Sequence, residues 1–145
     1  MKLSVSMITF QGAAYLKAQM DSILGQSRPI QEIIVCDDGS TDETRAILTE
    51  YAAQHPQIKL HFNEQNLGTA QNMQQCLRLS TGDIIFLADQ DDVWLPNKVE
   101  KTLAFFEQNP TAEAVFSNAE IIDEVGETQF GMSLWDIIGF PYGKV

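Results

Sequence analysis

Basic residues are scarce in this chain. Nine lysines and arginines stand against 20 aspartates and glutamates, for a formal net charge of −11. A nucleic-acid-binding face needs clustered Lys and Arg, so no nucleic-acid partner is expected. The acidity is compatible with metal binding and equally with plain solubility. Cysteine is nearly absent. Cys36 and Cys76 lie in apolar contexts and form no spaced framework, which argues against a disulfide scaffold and for a reducing compartment. His55 and His61 have no sequence neighbours to complete a metal site, and neither is assigned to one. No apolar run approaches the roughly 20 residues that span a bilayer. Met1-Lys2-Leu3-Ser4 leads into a strand-like run rather than a signal peptide, so the cytoplasm is the expected compartment. The chain also lacks a glycine-rich P-loop, a nucleophile elbow and internal repeats.

What is present is an alternation of short apolar runs with amphipathic stretches. With 145 residues a single domain can bury a real core. Leu3 to Phe10, Ile33 to Cys36, Ile58 to Phe62 and Ile84 to Ala88 read as strands, and Ala114-Val115-Phe116 as a short fifth. Between them, Leu16, Met20, Ile23 and Leu24 mark one helix face, and Ile47, Leu48, Tyr51 and Ala52 a second. Ala70, Met73 and Leu77 mark a third, and Val99, Leu103 and Phe106 a fourth. Ser40-Thr41-Asp42-Glu43 fits a capping box for the second helix, and Pro96 suits the first turn of the fourth. Strand–helix alternation of this kind predicts an α/β fold, a doubly wound and mostly parallel sheet with helices on both faces. After Asn118 the pattern changes. Ile121-Ile122 reads as a brief strand and Glu124-Val125-Gly126-Glu127 as a turn. Phe130, Trp135, Ile137, Ile138, Phe140 and Tyr142 follow without helical or strand periodicity. So much apolar surface suggests packing against further chain or against a second copy in a homodimer.

The acids are concentrated where strands end. Ile84 to Ala88 runs into Asp89-Gln90-Asp91-Asp92, and Ile33 to Cys36 runs into Asp37-Asp38. Ligands of open parallel sheets bind outside the carboxyl ends of the strands. If both strands are interior, the two acidic loops open on one crevice. Like charges packed together raise each other's pKa unless a cation intervenes, and a divalent ion with oxygen ligands is the simplest candidate. The plainer alternatives are a solvated acidic turn at 89–92 and an Asx turn at 37–38. Thr9 and Phe10 end the first strand, where Phe10 could flank a planar base or simply fill core. Asn66, Gly68 and Asn72 open the third helix, whose free N–H groups suit a phosphate or plain capping by Asn66. Trp94 and Leu95 are expected to anchor the acidic loop. Lys98 is either an exposed lysine or a counter-charge to the acids.

The order of these motifs resembles the family-two glycosyltransferases. It runs Ser4-Val5-Ser6-Met7-Ile8-Thr9-Phe10, then Ile34-Val35-Cys36-Asp37-Asp38-Gly39-Ser40-Thr41-Asp42. Asn66-Leu67-Gly68 with Asn72 follows, and then Leu87-Ala88-Asp89-Gln90-Asp91-Asp92-Val93-Trp94-Leu95-Pro96-Asn97-Lys98. The last motif is similar to bacterial members that build surface polysaccharides, including rhamnosyltransferase-like ones. The resemblance implies a GT-A fold and an inverting sugar transfer from a UDP- or dTDP-linked donor to a glycan or lipid-linked acceptor. It implies donor binding by Thr9, Phe10, Asp38, Asn66, Gly68, Asn72, Asp89, Gln90 and Asp91. Asp38 would read the base, and Asp89 and Asp91 would form the DXD pair. Asp91 first, with Asp89, would hold Mg²⁺ or Mn²⁺.

The resemblance covers about residues 3 to 125, so residues 1–125 are expected to form the nucleotide-sugar half. Residues 126–145 would begin an acceptor part or form a truncated tail. Two departures stand out. Ile8, Phe10 and Gln11 replace the more usual Pro, Tyr and Asn, and Gln71 stands where an Arg often precedes Asn72. No catalytic base is assigned. Glu120, Asp123 and Glu124 are the only acids in the neighbourhood, and the chain is expected to be a fragment whose base, and any attachment to the inner face of the membrane, lie elsewhere. The competing readings are a non-catalytic nucleotide or metal sensor, a receiver-like signalling domain and a nucleotidyltransferase. A receiver would place its acid pair after the first strand, and a nucleotidyltransferase a basic glycine-rich loop there; Gln11-Gly12-Ala13-Ala14 supplies neither.

Overall fold

The computed structural model describes residues 1–123 and 125–139. The chain divides into two compact units, the first Met1–Phe105 and the second beginning at Phe106. In the first unit, strands β1 (Leu3–Thr9), β2 (Glu32–Asp37), β3 (Ile58–Phe62) and β4 (Ile84–Ala88) alternate with helices. These are α1 (Leu16–Leu24), α2 (Thr44–Gln54), α3 (Thr69–Leu79) and α4 (Lys98–Gln108), the last crossing the boundary between units. The sheet order is β3-β2-β1-β4 and every pairing is parallel. The chain winds outward from β1 through β2 to β3, then returns to the other side of β1 as β4. That reversal is the switch point at which ligands of doubly wound sheets bind.

Strand alternation assigns the layers. Leu3, Val5 and Met7 face one side, where they join Leu16, Met20 and Ile23 of α1, Ile47 and Leu48 of α2, and Val99 and Leu103 of α4. Each such fully buried side chain contributes about 1.5–3 kcal/mol of burial free energy. On the opposite face Ile8, Ile34 and Cys36 meet Cys76 of α3. The small residues there let α3 approach closely. Ser6 Oγ lies 2.7 Å from Ser80 Oγ, and the Cys76 thiol donates to the carbonyls of Met7 and Ile34 at 3.4 and 3.3 Å. Cys36 and Cys76 are free, fully buried thiols.

The far end of the sheet is closed by a buried acid. Glu32 is only 1% exposed and accepts from Ser4 Oγ at 2.6 Å, Thr81 N at 2.8 Å, Lys59 Nζ at 2.8 Å and Lys2 Nζ at 3.0 Å. Burial alone would raise its pKa. The Lys59, Ser4, Thr81 and Lys2 contacts outweigh that and hold the carboxyl well below the ordinary glutamate range.

Several expectations fail for physical reasons. The third helix buries Asn72 and Cys76, with Leu77 exposed, because its inward stripe is polar and hydrogen-bonded rather than aliphatic. Ser40 does not cap α2. Its hydroxyl donates to Asp37 and accepts from Gln11 N, leaving no capping role, and Glu43 stands at the N-cap without a side-chain bond. Strand β4 is not interior: it is the outer strand of the four, and Leu87 is 54% exposed because α3 lies over β1 and β2. Leu95 is also exposed; the anchor is Trp94, buried against Phe86 at 5.8 Å between ring centres.

In the second unit, Ala114-Val115-Phe116 forms no strand. The strand after α4 is β5 (Glu120–Ile122), which pairs antiparallel with β6 (Thr128–Ser133). The turn between them is built on Asp123, whose carboxylate accepts the N–H groups of Val125 and Glu127. Helix α5 (Leu134–Ile138) starts at a capping box of Ser133 and Asp136, so part of the apolar tail has helical order that its short length hides from periodicity. Glu124, Phe140 and Tyr142 lie outside the described residues.

Candidate functional site

A pocket of about 490 Å³ opens at the carboxyl ends of the strands of the first unit. Its walls come from four segments: the end of β1, the loop after β2, the start of α3 and the acidic loop after β4. All nine residues expected to bind donor line it: Thr9, Phe10, Asp38, Asn66, Gly68, Asn72, Asp89, Gln90 and Asp91. Ile8 and Thr69 line it as well. The size suits a ligand of nucleotide dimensions.

Asp37 and Asp38 are both buried but do different things. Asp37 faces inward as a structural anchor. It pairs with Arg45 Nε at 2.6 Å and accepts from Ser40 N and Thr9 Oγ1, both at 3.0 Å. The Thr9 hydroxyl proton is therefore committed to Asp37. Asp38 holds the start of α3: Oδ1 accepts from Leu67 N at 2.8 Å and Asn63 Nδ2 at 2.9 Å, and Oδ2 from Gly68 N at 2.9 Å. An ionised carboxylate offers about four acceptor positions. Three are taken, and the remaining one is on Oδ2.

Gly68 precedes α3 with φ at +82°, a conformation that side chains rarely adopt, and it turns its own N–H toward Asp38. Asn66 does not cap the helix from the N-cap position; its Oδ1 accepts from Gly68 N at 3.1 Å. Asn72 is buried and committed inward, donating to the Cys36 carbonyl and accepting from Asn63, both at 2.9 Å. The sequence reading missed Asn63 and Arg45. Asn63 joins Asp38, Asn72 and Gln75, while Arg45 reaches both Asp37 and the Asn63 carbonyl. The only available signal was a polar residue immediately after β3, which is the usual signature of a loop.

On the acidic side, the Gln90 carboxamide meets the main chain of Phe10 at both atoms. Phe10 is 46% exposed and lines the pocket. Partial burial of the loop, and then the Asp91 charge, push Asp89 above the ordinary aspartate range. Burial, then Asp89 and Asp91, do the same to Asp92, against the pull of Lys98. Lys98 in turn is lowered by burial, offset by Asp92, and lies over the Trp94 ring at 5.1 Å. Lys98 thus offsets only part of the local negative charge. Among the described residues no group of three or more Asp, Glu, His or Cys is arranged to hold a metal. The donor set still fits Mg²⁺ or Mn²⁺ bound through one or two carboxylates, with phosphate and water oxygens completing the shell.

Residues 4–143 match the family described as Glycosyl transferase family 2. The chain belongs to that family. EpsE of Bacillus subtilis, which is named as a glycosyltransferase, is 38% identical over 126 residues, covering 86% of this chain and 45% of its own length. The Escherichia coli UDP-Glc:alpha-D-GlcNAc-diphosphoundecaprenol beta-1,3-glucosyltransferase WfgD is 31% identical over 121 residues, covering 83% and 47%. Staphylococcus aureus TarS, solved with UDP, superposes with a TM-score of 0.69 at 23% identity, over 84% of this chain and 42% of its own. The Pyrobaculum calidifontis mannosyltransferase PcManGT, solved with GDP-Man and Mn²⁺, gives 0.65 at 25% identity, over 84% and 36%. The fold is therefore GT-A, and the chain spans less than half the length of these relatives.

Proposed function

We propose that this chain is the nucleotide-sugar-binding part of a glycosyltransferase that works in bacterial surface-polysaccharide synthesis, with a UDP- or dTDP-linked donor and a glycan or lipid-linked acceptor. One observation carries the reading. A single pocket gathers an aromatic ring, a buried carboxylate with one acceptor position left, an open helix N-terminus and a carboxylate pair. Those are the four chemistries that a base, a base N–H, a diphosphate and its metal require. In this reading Phe10 stacks on the base and Asp38 Oδ2 accepts its N–H. Asp89 reaches the ribose, Asp91 holds the divalent ion, and the first turn of α3 faces the diphosphate. When bound, the ion neutralises charge developing on the departing nucleoside diphosphate.

The lipid-linked acceptor is supported by the diphosphoundecaprenol acceptor that WfgD is named for, and the metal by the PcManGT complex. Transfer would be a single displacement with inversion, as the resemblance implies. It needs a general base near the acceptor hydroxyl, and no residue of this chain is assigned to that role.

Calorimetry with UDP, dTDP and GDP, each with and without Mn²⁺, tests the proposal. UDP or dTDP should bind, and more tightly with metal. Tighter binding of GDP would overturn the base assignment, and no binding of any of the three would overturn the donor-site reading.

A further inference from the structure

Gln90 lies between the two aspartates that the donor-site reading assigns to ribose and metal. Its own side chain is committed to a different loop. Oε1 accepts the Phe10 N–H at 2.8 Å, and Nε2 donates to the Phe10 carbonyl at 3.0 Å. This is a two-point match between one carboxamide and one residue's main chain, made across 80 positions of sequence. Both polar ends of Gln90 are occupied before any ligand arrives.

A second feature shows that the pairing is built in. Gly12, two residues past Phe10, has no side chain where Gln90 sits. A Cβ placed there would come 2.1 Å from Gln90 Oε1, 2.4 Å from Cδ and 3.0 Å from Nε2, and these are its three nearest neighbours. The backbone of Gly12 is outside the positive-φ region. Glycine is thus needed there for room, not for conformation.

The Phe10-Gln11 segment is tied on its other side too. Gln11, at φ 52°, accepts from Thr41 N at 3.0 Å and Asp42 N at 3.1 Å and donates to Thr41 Oγ1 at 2.9 Å. The same two residues therefore link the acidic loop to the loop that follows Asp38.

We propose that Gln90 is a positioning residue. Seated in the space left by Gly12, it fixes the wall that carries Asp89 and Asp91 relative to the wall that carries Phe10 and Asp38, and it does so without touching the donor. The functional half of this inference rests on the donor-site reading above. The clamp itself can be read in the ligand-free protein.

The test compares wild type, Gln90→Ala, Gly12→Ala and the double variant. In the ligand-free proteins, amide hydrogen exchange is followed at Phe10, with Met7 and Ile8 as internal controls. Either single change should speed Phe10 exchange about tenfold, equivalent to about 1.4 kcal/mol, and leave the controls unchanged. The double variant should be no faster than Gln90→Ala, because a methyl group at position 12 then meets empty space. In parallel, UDP affinity is measured with and without Mn²⁺. Gln90→Ala should weaken Mn²⁺-dependent binding about tenfold, with a much smaller change when metal is left out.

Unchanged Phe10 exchange in Gln90→Ala, or additive effects in the double variant, would overturn the clamp. A verified clamp with unaltered Mn²⁺-dependent affinity would overturn the positioning role. If wild type binds no nucleotide at all, the donor-site reading fails, and the exchange cycle alone decides whether Gln90 joins the two walls.

Discussion

Replacing Asp38 with Asn tests the centre of the pocket, because the structure dictates what the new amide must do. The carboxylate receives two donors at Oδ1 and one at Oδ2. The less damaging orientation of Asn keeps its oxygen at the Oδ1 position and puts its NH₂ against the Gly68 N–H. One charge-assisted bond is lost outright, worth about 1.5–3 kcal/mol, and the other two weaken because their acceptor is no longer charged. A net destabilisation of about 2–3 kcal/mol follows, or a fall in melting temperature of about 8–20 °C for a unit of this size. Binding should suffer separately. The acceptor position left on Oδ2 becomes a donor facing the base N–H, so UDP affinity should fall by about tenfold or more even where the variant is fully folded. Thermal unfolding by circular dichroism and calorimetric titration well below the variant's melting temperature read the two effects independently. A fall of under about 2 °C would refute the three-bond arrangement. A large fall with unchanged UDP affinity would keep the arrangement and refute the contact with the base.

Other perturbations bear on the acids. Asp91→Asn should abolish the Mn²⁺ enhancement of UDP binding without lowering the melting temperature, because it relieves the repulsion that raises Asp89 and Asp92; calorimetry and thermal unfolding check it, and a retained enhancement would refute metal binding by Asp91. Because burial and mutual repulsion raise the Asp89 and Asp92 carboxyls above the ordinary aspartate value, Mn²⁺ affinity measured by electron paramagnetic resonance should begin to fall, as pH is lowered, before the ordinary aspartate range is reached. Glu32 carries the opposite sign. Its pKa is lowered on folding, so its contribution is complete above the unfolded value of 4.5 and is lost as pH falls below that value toward its folded one. Glu32→Gln should accordingly cost about 2 kcal/mol at pH 7 and progressively less in acid, as read by urea unfolding at several pH values.

Much of the first unit was legible from periodicity. The four strands and four helices follow from where apolar residues recur, and they occur close to the predicted positions. The failures share a cause. The inward face of α3 is Asn72 and Cys76, so an apolar template chose Leu77 instead. Ser40 looks like a helix cap in one dimension, but Asp37 and the Gln11 N–H reach it first in three. The membership of the pocket was legible through the family resemblance that the order of strand-end motifs carries, and all nine residues line it. The commitments of its side chains were not. Thr9 to Asp37, Asn63 to Asn72 and Gln90 to Phe10 are tertiary pairings that no spacing rule encodes.

Those pairings bear on how sequence change in this pocket would be felt. Thr9, Asn63 and Asn72 use their polar atoms to brace neighbouring walls. On the donor-site reading, losing Asn63, which braces the walls and is not among the lining residues, would leave the ligand's direct contacts in place and widen the ensemble of wall positions, a defect that lower temperature or an excluded osmolyte should partly reverse. Losing a carboxylate at Asp91 removes a group for which no change of ensemble compensates. A mutational scan run at two temperatures should therefore split the pocket into a conditional class and an unconditional one.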